Sequence, residues 1–147
     1  MSKALSAWYS LPDLVSLAER AKVLEGTIEL SRLTRLAESL HSTDGHAKAT
    51  IKLRLGRGDM LLMDLQCEAA VELVCQRCLE PVVHRIEERI QFAVAETEHS
   101  YAVLPEGIEL VTLDGDRLQP AALIEDELIV SLPLVPKHSG SFNTEEI

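Results

Sequence analysis

The chain has 147 residues, close to the usual size of one domain, and 46% of them are hydrophobic, enough to bury one core. Its formal net charge of −10 argues against broad contact with nucleic acid, because phosphate binding draws on Lys and Arg to displace condensed counterions. Trp8, Tyr9, Phe92, Tyr101 and Phe142 are its only aromatic residues, so the core must be aliphatic and stacking platforms for bases are scarce.

Ser10-Leu11-Pro12-Asp13 supplies a cap hydroxyl, a first-turn proline and an acid three residues on, which predicts a helix start. Leu14, Leu17, Ala18 and Ala21 then recur at helical spacing. From Val23 to Leu30 the pattern switches to alternation, with Leu24, Gly26, Ile28 and Leu30 opposed to Glu25, Thr27 and Glu29, the signature of a strand. Ser31 is placed to cap a second helix carrying Leu33, Leu36, Ala37 and Leu40, ended by Ser42-Thr43-Asp44-Gly45.

The strictest alternation follows. Ala47, Ala49, Ile51, Leu53 and Leu55 are apolar against His46, Lys48, Thr50, Lys52 and Arg54, and odd positions from Leu61 to Cys75 are apolar again. If both strands bury odd positions and turn over Arg57-Gly58-Asp59, with Gly58 free to take a positive φ, the register is fixed. It sets Leu55 opposite Leu61, Leu53 opposite Met63 and Ile51 opposite Leu65, and on the wet face Lys52 opposite Asp64 and Lys48 opposite Glu68. Part of the basic run thereby answers acids across the ladder, leaving Arg54 and Arg57 as the less committed cations.

A third strand is predicted over Val82 to Ala95, joined through a tip at Cys75 to Pro81, and a further one around Gly107 to Leu113, turned by Asp114-Gly115. Pro120 opens a last helix with Leu123, Ile124 and Leu128 inward, and Pro133 and Pro136 force an extended segment. The expectation is one α+β domain over residues 1–138. It has a mainly antiparallel sheet, with room for barrel-like closure, two N-terminal helices and one C-terminal helix, followed by a short polar mobile tail over 139–147. No run approaches the roughly 18 apolar residues of a spanning helix, the N-terminus does not read as a signal peptide, and an odd number of cysteines points to a reducing cytoplasm.

Cys75 and Cys78 have the spacing of half a zinc knuckle, with Cys67, His84 and His138 as conceivable further ligands. Half a site is not a site, and the expectation is no metal and no cofactor. A thioredoxin-like role needs a helix N-terminus at the first cysteine, whereas strand patterning flanks this motif on both sides. Glu125-Asp126-Glu127 raises acid–base or metal-assisted hydrolysis, but no histidine stands at motif spacing, so the run reads as a solvated helix face. Gly56-Arg57-Gly58-Asp59 lacks the length and the Lys-Ser/Thr of a phosphate loop.

Taken together, Cys75-Gln76-Arg77-Cys78-Leu79-Glu80-Pro81 and the later Asp126-Glu127-Leu128-Ile129 running into Leu132-Pro133-Leu134-Val135-Pro136 resemble the YceD family, over roughly residues 20–138. That bacterial family is named for large ribosomal RNA subunit accumulation. The resemblance implies a non-enzymatic accessory factor in synthesis, processing or stability of 23S ribosomal RNA, working through a ribosomal protein or large-subunit assembly factor. Direct contact with the RNA is disfavoured by the net charge, and no membrane is involved. Many members carry a second cysteine pair after L-P-x-V-P, where this chain has Lys137-His138-Ser139-Gly140. The candidate contacts are Arg54, Arg57, Arg77, Glu125, Asp126 and Glu127, and none is catalytic. The rival readings are a zinc-dependent binding module built on Cys75 and Cys78, and a metal-dependent nuclease or hydrolase built on the acidic helix.

Overall fold

The computed structural model describes residues 3–101 and 103–136, and its frame is a ladder of long strands laid down where side chains alternate. In chain order the elements are α1 (Lys3–Ser6), β1 (Tyr9–Ser10), α2 (Leu11–Glu19), β2 (Val23–Glu29), a 3-10 turn (Leu30–Arg32), α3 (Thr34–Ala37), β3 (His46–Leu55), a second 3-10 turn (Arg57–Asp59), β4 (Leu61–Val74), β5 (Pro81–Ala95), β6 (Ile108–Thr112), β7 (Arg117–Leu118) and α4 (Pro120–Val130). Five strands form one sheet in the order β2-β3-β4-β5-β6, and β1 pairs with β7 in a separate ribbon.

The β3–β4 register is the one the alternation dictates. Ile51 opposes Leu65, Leu53 opposes Met63, Leu55 opposes Leu61, Lys52 opposes Asp64 and Lys48 opposes Glu68. Gly58 takes φ 64° in the connecting turn, and Asp59 follows it at φ 59°. A one-residue slip would carry every aliphatic side chain of the strand to water, so burial fixes the pairing. The wet-face charges do not add to it. Among the described residues neither Lys52 and Asp64 nor Lys48 and Glu68 approach within 4.0 Å as an ion pair. A double-mutant cycle on Lys52 and Asp64, read by chemical denaturation, is therefore expected to give a coupling below about 0.3 kcal/mol.

Helix α2 starts where the capping pattern put it: Asp13 N–H donates to Ser10 Oγ at 3.3 Å, and Ser10 N–H donates to Asp13 Oδ2 at 3.1 Å. Leu14 and Leu17 turn inward. The second expected helix is not continuous and Ser31 does not cap it. A 3-10 turn and the four-residue α3 replace it. Leu30, Leu33 and Leu36 are all buried, and a spacing of three suits 3-10 winding better than 3.6 residues per turn.

Two further expectations are corrected. The sheet is open, with β2 and β6 as its edges, so there is no barrel-like closure. Strand β6 runs parallel to β5, with Gln91 beside Ile108 and Ala95 beside Thr112, because the chain between Glu96 and Gly107 crosses back before re-entering the sheet. The other four strands are antiparallel. Helix α1 and the β1–β7 ribbon had no clear signal in the sequence. Tyr9 pairs with Leu118, and Gln119 Nε2 donates to Ser6 O at 2.8 Å, fastening the N-terminal segment to the entry of α4.

One aliphatic cluster joins Leu5, Leu14, Leu17, Leu36, Ile124 and Leu128 of the helices to Ile51, Met63, Leu65 and Val71 of the sheet. The helices therefore cover one face of the sheet. The opposite face of β3, β4 and β5 presents Lys48, Lys52, Arg54, Gln66, Glu68, Arg85, Glu87 and Arg89 to water. Among the described residues no helix is long and apolar enough to cross a membrane. The tail expected over 139–147, with Lys137 and His138 before it, lies outside the described residues.

Candidate functional site

The tip between β4 and β5 is a tight knuckle. Cys75 N–H donates to Glu80 O at 2.8 Å, Leu79 N–H donates to Cys75 O at 2.8 Å, and Arg77 N–H donates to Cys75 Sγ at 3.4 Å. Closing that turn forces Leu79 to φ 63°, a conformation that costs a side-chain-bearing residue about 1 kcal/mol or more. Gln76 N–H donates to Pro136 O at 2.8 Å, which seats the Leu132–Pro136 segment beside the tip. Cys75 is fully buried, whereas Cys78, Arg77 and Leu79 are exposed.

Two of the conceivable extra metal ligands cannot reach this tip. Cys67 lies eight residues back along the same extended strand, about 27 Å at 3.4 Å per residue. His84 sits opposite Val71, four rungs away. His138 lies outside the described residues. Among the described residues no group of three or more His, Cys, Asp and Glu is placed to hold a metal ion.

Cys67 belongs to the core face instead. Burial, reinforced by the Glu127 and Glu88 carboxylates, pushes its thiol up to about 11, so it stays protonated and unreactive at neutral pH. Glu127 itself is raised from the ordinary carboxylate value, first by burial and then by Glu109, Glu88 and Asp126. A carboxyl raised on folding resists ionisation in the native state, so the penalty is full above its shifted value and vanishes below pH 4.5. Glu127→Gln is accordingly expected to melt higher than the parent at pH 7, with the gap closing as the pH is lowered to 4, as followed by circular dichroism.

The acidic run does not act as one surface. Glu125 is only 7% exposed, and its Oε2 accepts the backbone N–H groups of Arg35 at 2.8 Å and Leu36 at 3.1 Å. The Arg35 guanidinium bridges Glu125 Oε1 at 3.2 Å and Asp126 Oδ1 at 2.8 Å. Of the three acids, Glu125 is committed to holding α3 against α4, Asp126 is exposed but paired, and Glu127 is half-buried. The solvated-face expectation thus fails for Glu125, because it occupies the inward arc with Ala121, Ile124 and Leu128.

The candidate cations are also dispersed. Arg54 and Arg57 stand at one end of β4 and Arg77 at the other, and 14 extended residues separate those ends by about 45 Å. The α4 acids lie on the helix-covered side of the sheet, away from the wet face that carries Arg54. Between the two ends, the wet face holds an open trough of about 480 Å³ lined by Lys48, Thr50, Gln66, Glu68, Glu87 and Arg89 among others. Glu68 directly opposes Glu87 there, a like-charge pairing that weakens the ladder slightly.

The described residues thus hold a charged open sheet face and a cysteine-containing knuckle clasped by the proline-rich segment. The family described as large ribosomal RNA subunit accumulation protein YceD matches residues 63–146, which include both the knuckle and the proline-rich segment. The protein of Haemophilus influenzae with the same name is 30% identical over 129 residues, covering 87% of this chain and 74% of that one. No solved structure matches the chain. The match across more than half of the sequence and the similarity to a relative of the same name together establish that this chain belongs to the YceD family, named for large ribosomal RNA subunit accumulation.

Proposed function

We propose that the chain is a non-enzymatic accessory factor in synthesis, processing or stability of large-subunit 23S ribosomal RNA, acting through protein or ribonucleoprotein contacts and without a metal. Membership of a family named for accumulation of that RNA is the observation that carries the reading. The architecture suits it. One face of the sheet packs the core, while the other offers charged side chains with no helix laid over them among the described residues. Of the carboxylates that the rival hydrolase reading would use, Glu125 is instead tied to backbone N–H groups.

Sedimentation tests this directly. Tagged protein from growing cells is expected to travel with large-subunit precursor particles, and recovery only in the free fraction would contradict the proposal. Purified protein incubated with precursor ribosomal RNA and Mg²⁺ is expected to leave the RNA intact. Cleavage lost on Asp126→Asn would establish the hydrolase reading in its place. Metal analysis is expected to find no stoichiometric zinc, and a melting temperature lowered by a chelator would favour the zinc module.

A further inference from the structure

Net charge conceals an uneven distribution. Helix α2 ends in a turn that carries Arg20 and Lys22 immediately before Val23, and Val23 pairs with Lys52 of β3. Two residues beyond Lys52 on the same wet face stands Arg54, and the β3–β4 turn adds Arg57. The α2–β2 turn therefore lies at the same end of the sheet as the close of β3, and this corner carries five exposed cations: Arg20 and Lys22 on the turn at the end of the helix-covered side, Lys52 and Arg54 on the wet face, and Arg57 on the β3–β4 turn. None of them forms an ion pair with a described residue. The acids of the corner are Glu19, Glu25, Asp59 and Asp64, so five cations outnumber four acids and the corner is slightly positive within a chain of formal charge −10. The rest of the molecule is correspondingly more acidic, and its field would turn this corner toward a polyanion.

We infer that this corner is a docking surface for the phosphate backbone of RNA. Unpaired cations on a rigid strand end and two tight turns meet phosphates without first breaking an internal salt bridge, and counterion release then supplies the affinity. Neither of the segments that carry these cations, residues 19–25 and 50–60, contains an aromatic residue on which a base could stack, so recognition is of backbone charge rather than of base sequence. The inference deepens the ribosomal reading and rests on it only for which RNA is met in the cell.

The test is fluorescence anisotropy of the full chain with a labelled single-stranded fragment of 23S ribosomal RNA between 50 and 200 mM KCl. Four or five phosphate contacts give an expected slope of about −3 in log affinity against log salt. Lys22→Gln, Lys52→Gln, Arg54→Gln and Arg57→Gln combined are expected to weaken binding at least about tenfold and flatten that slope, with the melting temperature unchanged. Arg85→Gln with Arg117→Gln, remote from the corner, is expected to keep parental affinity. Absence of salt-dependent binding, or equal loss in the remote variant, overturns the inference. So does a four-site variant that binds RNA normally yet fails to support 23S accumulation in cells, which would assign the corner to an acidic protein surface. Unchanged 23S RNA in cells lacking the protein, with RNA binding intact in vitro, would sink the ribosomal reading and leave the corner standing.

Discussion

Replacing Glu125 with alanine is expected to lower stability by about 3 kcal/mol, seen as a fall of roughly 10 °C in melting temperature for a chain of this size. Helix α3 is four residues long and Leu33, at its N-cap, offers no side-chain acceptor. The N–H groups of Arg35 and Leu36 occupy the second and third helical positions, the donors a cap hydroxyl would normally satisfy. Glu125 serves as that cap from another helix. Its removal leaves two N–H groups without an acceptor, one of them on the fully buried Leu36. Unsatisfied buried donors cost about 1 to 3 kcal/mol each, and this term dominates. The contact with the guanidinium is worth less, because the Arg35 side chain is 55% exposed and solvent screens it. Glu125→Gln keeps an acceptor oxygen and should lose about half as much, and Asp126→Ala, at an exposed position, less than about 0.5 kcal/mol. Equal losses for the two alanine variants would show that charge, not capping, holds α3 in place.

Leu65→Ala is the second large effect, expected at about 3 to 4 kcal/mol in denaturant unfolding. Leu65 is fully buried at the centre of the sheet, opposite Ile51 on one side and Ile90 on the other, with helices packed over that rung. Truncation loses transfer free energy and opens a cavity that paired strands cannot close by moving together. Gln66, the next residue, points to the opposite face and is exposed, so Gln66→Ala should change stability by less than about 0.5 kcal/mol. The contrast between neighbours reads the register directly: strands slipped by one residue would exchange the two results.

The hairpin from His46 to Val74 was legible in the sequence because period-two alternation persists on both strands and Gly58 marks the turn. Burial alone decides it, with no long-range information required. Ser10 and Asp13 announced α2 for the same reason, since every partner of the cap lies within four residues. The parallel placement of β6 was not legible, because the direction of an edge strand depends on the path taken by Glu96 to Gly107 and no local pattern encodes that path. Glu125 was misread through distance as well: its hydrogen-bond partners lie about 90 residues away in sequence. One signal was available, an acid on the same helical arc as Ala121, Ile124 and Leu128. The dispersal of Arg54, Arg57 and Arg77 was already implied by the hairpin, since the long strand from Leu61 to Val74 sets the two turns at its opposite ends.

Under the proposed function, this YceD-family chain supports accumulation of the large-subunit RNA by binding rather than by catalysis. The decisive measurement is the ratio of mature 23S to 16S ribosomal RNA in cells lacking the protein and in cells with it restored. That ratio is expected to fall on deletion and to recover both with the parent chain and with Asp126→Asn, an exposed position whose change leaves the open sheet face intact. An unchanged ratio on deletion, or recovery that fails with Asp126→Asn although the variant folds and accumulates normally, would contradict the proposed function.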